Sequence, residues 1–503
     1  MKSSDRTEKT IKNISTSLIY QVINLVTNFI LRTVFIRKLG IEILGVNGLF
    51  SNILSVLSLA DLGINTAMMF SLYKPLAEND INKISAYMSY YKKIYRIIAC
   101  TIFSLGILVV PFLKYIVNTD IGIDSIILYY ILYLINSVVS YLAVYKTIIV
   151  IADQKEYKLK IIDGISLLIK FLIQIITLIV LENYIVYLVN QIMITVLTNV
   201  IKTILSNRMY SLKNEEKLND NEKKSIWKNV KSLFLYQVGN VILNNTDNIL
   251  ISIMLGTTIV GLYSNYTLII TALTGVIAMI FSALQSSIGN FNISSNSEQK
   301  FNLYKVILMC SDILFSFCSI CLVCLLNPFI SVWIGEKFAF NISTVIIIGF
   351  NFYVMGMLYP NWCYRFTTDL FNRAKWVMMV ASLLNVVLSI LLGKFMKLDG
   401  ILLATALARL LSTFWYEAKI LYTDYFKQNF VKFIYVEIKN LIFMSLICIA
   451  VYSVTTLISN QNIMYVIFKF IITIFLTLVI YLIKYYRSKE FIYLKNKFIK
   501  QKA

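Results

Sequence analysis

"YQVIN" at 20–24 and "YQVGN" at 236–240 place the same glutamine and asparagine inside two long apolar runs. The match continues without gaps at an offset of 216 residues (236 minus 20). Tyr20, Gln21, Val22, Asn24, Asn28, Leu39, Gly40, Ile43 and Gly45 meet Tyr236, Gln237, Val238, Asn240, Asn244, Leu255, Gly256, Ile259 and Gly261. Apolar segments match one another by chance, so the shared polar residues and the twice-used LG-x4-G carry the weight. Asp153 meets Asp369 at the same offset, and "PF" at 111–112 meets "PF" at 328–329 with one residue of slip. The chain reads as an internal duplication.

What is duplicated is hydrophobic. Of 503 residues, 58% are hydrophobic, and the mean hydropathy is +0.74. Apolar runs near 20 residues are long enough to cross a bilayer. Fourteen spans are expected, near 13–36, 43–64, 94–117, 121–146, 161–181, 183–205, 231–255, 262–289, 305–334, 341–364, 376–396, 399–421, 437–458 and 462–484. The offset carries spans 1–6 onto spans 7–12. An even number of spans per repeat makes both copies enter from the same side, related by an axis along the membrane normal. The fold class is therefore an all-α polytopic membrane protein. Its expected parts are an N-terminus (1–12), an N-lobe (13–205), a charged linker (206–230), a C-lobe (231–421), two additional helices (422–484) and a basic tail (485–503). The stretch 76–93 has the character of an amphipathic surface helix.

The net charge of +21 would suggest nucleic acid in a soluble chain, but here it follows topology. Of 47 lysines and arginines, the outer loops hold only Arg37, Lys38, Lys114, Lys337, Lys394 and Lys397, and the spans hold Arg32, Lys170, Arg409 and Lys469. The remaining 37 (47 less 6 and 4) fall on the side of the two termini, which makes that side cytoplasmic. No nucleic-acid partner is expected. The absence of histidine removes histidine acid–base catalysis and weakens a zinc reading. Cys318, Cys321 and Cys324 lie in the apolar "FCSICLVCLL" and read as small buried residues. No cofactor or metal is expected, no outer loop is long enough for a catalytic domain, and the protein is not expected to be an enzyme.

Successive helical residues turn by about 100°. Gln21, Asn24, Asn28 and Arg32 then fall within about 80° of arc on span 1. Gln237, Asn240, Asn244, Asp247 and Asn248 fall within about 100° on span 7. Span 2 (Asn47, Ser51, Ser55, Ser58, Asp61, Asn65) and span 8 (Thr267, Thr271, Thr274, Ser282, Gln285) carry similar stripes. Facing lipid would cost these groups their hydrogen bonds, so the stripes face protein or water. Two readings stand: hydrogen-bonded helix contacts, or a water-filled cavity between two lobes. Arg32, Lys170 and Arg409 suit an anionic headgroup, with Gln21, Asn24, Asn28, Gln237, Asn240 and Asn244 beside them. Asp247, Asp61 and Asp312 suit charge balance or a coupling ion. Tyr20, Tyr236, Tyr263 and Tyr266 are candidates for stacking on sugars.

The plan of six, six and two spans, with "LADLGINTAMMFSLYKPLAENDINK" after span 2 and "TDNILISIMLGTTIVGLYSNY" through spans 7–8, resembles the polysaccharide-transport branch of the multidrug/oligosaccharidyl-lipid/polysaccharide (MOP) exporter superfamily. In particular it resembles Wzx-type flippases. The resemblance implies a V-shaped, two-lobed, MATE-like fold with a cavity bounded by spans 1, 2, 7 and 8. It implies alternating access in the bacterial plasma membrane, with no enzymatic step. The expected substrate is an undecaprenyl-diphosphate-linked oligosaccharide of capsule or O-antigen type, and the expected partners are the bilayer, a polysaccharide polymerase and its chain-length machinery. Coupling to an H+ or Na+ gradient or to the membrane potential is open. So are a teichoic-acid or lipid II flippase and a multidrug exporter.

Overall fold

The computed structural model describes residues 3–58, 64–210, 218–294, 296–365, 370–458 and 462–500. Among them every regular element is a helix. In chain order these are α1 (Ser3–Leu57), α2 (Ile64–Glu78), α3 (Ile81–Val109), α4 (Leu113–Ile116), α5 (Ile123–Tyr141), α6 (Val144–Ala152), α7 (Glu156–Ile176), α8 (Tyr184–Met209) and α9 (Asp220–Leu255). There follow α10 (Thr257–Ser294), α11 (Ser297–Trp333), α12 (Ile342–Arg365), α13 (Leu370–Arg409), α14 (Trp415–Ile420), α15 (Phe430–Thr456), α16 (Ile463–Tyr485) and α17 (Lys489–Lys500). Short π-helical turns extend α7 through Leu181 and flank α14. The chain divides into two compact units, Met1–Gly261 and Leu262–Ala503.

Among the described residues, eleven helical stretches are long and apolar enough to cross a membrane. Two of them, Ile11–Leu57 and Arg373–Tyr425, each hold two expected spans. The first breaks at Gly40 (φ 88°, ψ 170°) and the second at Lys397 (φ 52°, ψ −128°), where the chain leaves one helix and starts the next. The seventh expected span is α9, whose polar stripe lowers its hydropathy. Dividing the two long stretches at their breaks and counting α9 gives the fourteen expected spans.

The helix starts are written locally. Asn183, Asn429 and Asn462 accept backbone N–H groups at the first turns of α8, α15 and α16. Asn296 and Gln299 close a capping box on α11. Each satisfies donors that a helix start leaves orphaned. Asp80 caps α3 in the same way through Lys83 N at 2.9 Å. Residues 81–93 are therefore the first turns of α3, with Tyr87, Met88 and Tyr91 buried, and not a separate surface helix. In the expected linker, 206–209 finish α8 and 219–230 begin α9, while 211–217 lie outside the described residues.

The duplication is visible in the backbone. Gly256 ends α9 with φ 93° and ψ 161°, matching Gly40 at the equivalent position, in a region open to glycine and rarely to other residues. The second glycines of the two LG-x4-G motifs meet. A Cβ on Gly45 would overlap the Thr257 carbonyl, and a Cβ on Gly261 would overlap the Ile41 carbonyl. Thr257 is the repeat partner of Ile41, so the contact is reciprocal. Small residues at such crossings let backbones touch, which is how helices associate where lipid removes the hydrophobic drive.

Within the second unit, Cys324 packs with Ile320, Val451 and Tyr481, joining α11 to α15 and α16. The sulfur is core material there.

Candidate substrate site in the amino-terminal unit

Three contacts set α7 against α1. Asn13 accepts from Tyr157 N at 2.8 Å, Lys160 Nζ lies 5.3 Å from the Tyr20 ring centroid, and Lys38 pairs with Glu182 at 2.6 Å. From the first contact to the last is 25 residues on each helix (13 to 38 and 157 to 182), so the helices run parallel. Lys170 and Gln174 lie between the second and third of these contacts along α7, as Asn28 and Arg32 do along α1. Asp163, Lys170, Gln174 and Thr177 share one face of α7, within about 60° of arc.

Gln174 is fully buried, and neither its Nε2 nor its Oε1 has a hydrogen-bond partner among the described residues. A buried amide left unpaired costs about 1–3 kcal/mol per group, so such a side chain needs an explanation. Lys170, half-buried one turn away, makes no ion pair or hydrogen bond among the described residues. The carboxylates along α7 are engaged by other lysines: Glu156 by Lys160, Asp163 by Lys202 and Glu182 by Lys38.

Arg32 lies beside the phenols of Tyr133 and Tyr187, contributed by α5 and α8. Tyr133 donates to Asn47 Oδ1, and Tyr184 reaches the same oxygen at 3.3 Å. Phe35 stands edge-on to Tyr187 with centroids 5.3 Å apart, and Tyr184 stacks on Tyr187 at 6.0 Å. Rings fix the surroundings of the guanidinium, while phenol and amide groups supply the polar edge. The neighbourhood of Arg32, Lys170 and Gln174 suits an anionic group with hydroxyls attached.

The polar stripes repeat in atomic detail. Asn28 Nδ2 donates to Asn24 Oδ1 at 2.9 Å, and Asn244 Nδ2 donates to Asn240 Oδ1 at 3.0 Å. Gln21, Gln237 and Asp247 are half-buried, and Asn244 is exposed in the middle of α9. An exposed asparagine at that depth is costly against lipid and inexpensive against water.

The remaining expected residues lie elsewhere. Arg409 is buried in the second unit near Tyr359. Asp312, also in that unit, is ion-paired with Lys484 at 2.9 Å. Asp61 lies outside the described residues, as does Asp369. Tyr236 and Tyr266 are buried, and Tyr266 is held by Asn327 and Phe340 N, so neither ring is open to a sugar. Sequence reading missed Gln174, although it follows Lys170 by four residues on the same face. It also missed the buried Arg365–Glu417 pair, because Arg365 closes α12 and resembles a loop charge.

No family model matches the chain, and no curated protein matches it in sequence. Solved structures do match. A lipid II flippase, MurJ, in an inward closed conformation aligns with TM-score 0.68 and 14% identity, covering 94% of this chain and 99% of its own. The fold is that of the MOP superfamily transporters. An inward-facing MATE multidrug resistance transporter of that superfamily aligns with TM-score 0.66 and 12% identity, covering 81% of this chain and 97% of its own. A MOP superfamily transporter from Pyrococcus furiosus aligns with TM-score 0.56 and 12% identity, covering 84% and 95%. At these identities the likeness concerns the fold, a multi-pass membrane architecture whose solved examples include transporters and a flippase.

Proposed function

We propose that this MOP-fold chain is a flippase for lipid-linked oligosaccharides. It carries undecaprenyl-diphosphate-linked repeat units of a capsule or O-antigen-type polysaccharide from the inner to the outer leaflet of the bacterial plasma membrane. The observation that carries this reading is the grouping of Arg32, Lys170 and the unpaired Gln174 in one unit. A guanidinium and an ammonium suit a diphosphate, the arginine by forked hydrogen bonds and the lysine as a point charge. The amides of α1 and α9 suit sugar hydroxyls. The lipid tail stays in the bilayer while the polar head crosses along the wet faces, by alternating access. Both termini are cytoplasmic in this reading, and no bond is made or broken.

The experiment follows a fluorescent lipid-diphosphate glycan in proteoliposomes under H+, Na+ and potential gradients. Wild type moves it, and Arg32→Ala lowers the rate by about tenfold or more, since a charged hydrogen bond is worth about 1.5–3 kcal/mol. Equal rates remove Arg32 from the site. No wild-type movement under any gradient rejects the flippase.

A second reading is a lipid II flippase, favoured by the 94% of the chain that MurJ covers, against 81% for the MATE structure. The same vesicles loaded with lipid II separate the two.

A further inference from the structure

The two helices outside the repeat, α15 and α16, pack on α11 along a polar seam. On α16, Lys469, Thr473, Thr477, Tyr481 and Lys484 recur every three or four residues. One face of the helix is therefore polar over about 23 Å. Lys469, Thr473, Thr477 and Tyr481 are all at most 3% exposed. The Thr477 hydroxyl, and that of Ser319 on α11, have no hydrogen-bond partner among the described residues. Thr473 faces Cys324, and Tyr481 faces Ser316, without a close hydrogen bond. Buried hydroxyls left open in a row are rare in folded proteins.

The seam ends on a cluster of charges. Asp312 accepts from Tyr353 at 2.8 Å, Tyr485 at 2.6 Å and Lys484 at 2.9 Å. Lys484 also donates to Asn440 at 2.9 Å and lies within 5.2 Å of the ring centroids of Phe443, Tyr481 and Tyr485. That pair is complete. Beside it stands a second carboxylate, Glu437 of α15, only 5% exposed and without a hydrogen bond or ion pair among the described residues. Glu437 and Asp312 line one cavity of about 10 Å³, together with Ser311, Phe315 and Tyr353. That is room for about one water molecule.

The groups facing Glu437 are Asp312 and Tyr304 of α11, Tyr353 of α12, Tyr422 beyond α14, and Lys484 and Tyr485 of α16. On its own helix, Lys439 lies toward Lys484. Asp312 and Lys484 cancel. A charged Glu437 would then be a lone buried ion, which costs several kcal/mol even after relaxation. One proton removes that cost.

We propose that Glu437 is a proton-binding site, held neutral beside the Asp312–Lys484 pair and reached through the hydroxyl seam of α16. In the filling step the Glu437 carboxylate takes a proton from the water in the cavity. That water regains one from the next oxygen along the seam. Each oxygen on the path breaks one O–H bond and forms one, and the net uptake is a single proton from bulk water. The site lies in the second unit and does not depend on the substrate reading.

The test is infrared spectroscopy of the purified full-length protein in lipid nanodiscs, without substrate. At neutral pH the wild type shows a protonated-carboxyl band, and the band shifts with ¹³C-glutamate but not with ¹³C-aspartate labelling. Glu437→Gln abolishes it. Thr477→Val keeps the band but slows its exchange in D2O several-fold. A wild type without the band, or a band that follows aspartate labelling or survives Glu437→Gln, overturns the site. Unchanged exchange in Thr477→Val overturns the path. A thermal midpoint raised by NaCl but not KCl, with no carboxyl band, makes the cavity a sodium site instead.

Discussion

Both units carry a lysine on a membrane-spanning helix, Lys170 within α7 and Lys484 in the last turn of α16, and they treat it in opposite ways. Lys484 of the second unit, with a side chain 14% exposed, has a carboxylate, an amide oxygen and three aromatic rings around it. Lys170 of the first unit has none of these, and the carboxylates along its helix are held by other lysines. A similar contrast separates one buried ion pair from one buried amide, with Glu437 and the α16 hydroxyls of the second unit standing outside it. Arg365 Nη2 donates to both carboxylate oxygens of Glu417 in the second unit, whereas the Gln174 amide of the first is left open. A membrane protein that compensates a charge internally is spending it on holding helices together. One that leaves a cation and an amide uncompensated has them available, as the proposed anionic substrate would require.

The largest expected effect comes from breaking a compensated pair. Lys484→Met leaves Asp312 charged and buried, and Glu417→Gln does the same to Arg365. Each is expected to destabilise the protein by about 3–5 kcal/mol, read as a lowered thermal midpoint in detergent. Asp312→Asn added to Lys484→Met should recover most of the loss. A mild effect of either single change would mean that the second unit tolerates bare charge as well as the first.

Next is the crossing of the two repeats. Gly45→Leu and Gly261→Leu each drive a side chain into the carbonyl of the other repeat, at an expected cost of about 1–3 kcal/mol. The two should cost nearly the same, because the contact is reciprocal. A large inequality in thermal midpoints would show that the copies have diverged in packing as well as in charge.

The smallest effect on stability belongs to Lys170→Met, which removes no contact and is expected to stay within about 0.5 kcal/mol of wild type. In the vesicle assay the same variant should lose about tenfold in rate, with Lys170→Arg retaining most of it. If Lys170→Met unfolded the protein as Lys484→Met does, the contrast between the two lysines would be gone.

Much of the fold was legible in the chain. Apolar runs, glycine and asparagine punctuation and the 216-residue offset mark the spans, because the bilayer demands long unbroken helices and a duplication preserves its turns. Gly40 and Gly256 were visible as a repeated motif, and the backbone there is the same. The span division failed only where charge and helix start disagree, as at 76–93, where Asp80 caps a helix that runs on into the membrane. The candidate site, as proposed here, was legible in part. Arg32, Asn24 and Asn28 stand out as polar residues in an apolar run. Gln174 and Glu437 did not, since one was overshadowed by Lys170 and the other sits near a span end, where a carboxylate draws no attention.

Local chemistry along the chain was enough to determine the number of spans, the repeat and the polar stripes of the first helix in each copy. Those depend on residue spacing alone. Which charges are paired was decided only by the tertiary structure. Lys484 and Asp312 are 172 residues apart, and Arg365 and Glu417 are 52 apart. Compensation of a buried charge depends on what other helices bring within about 3 Å of it.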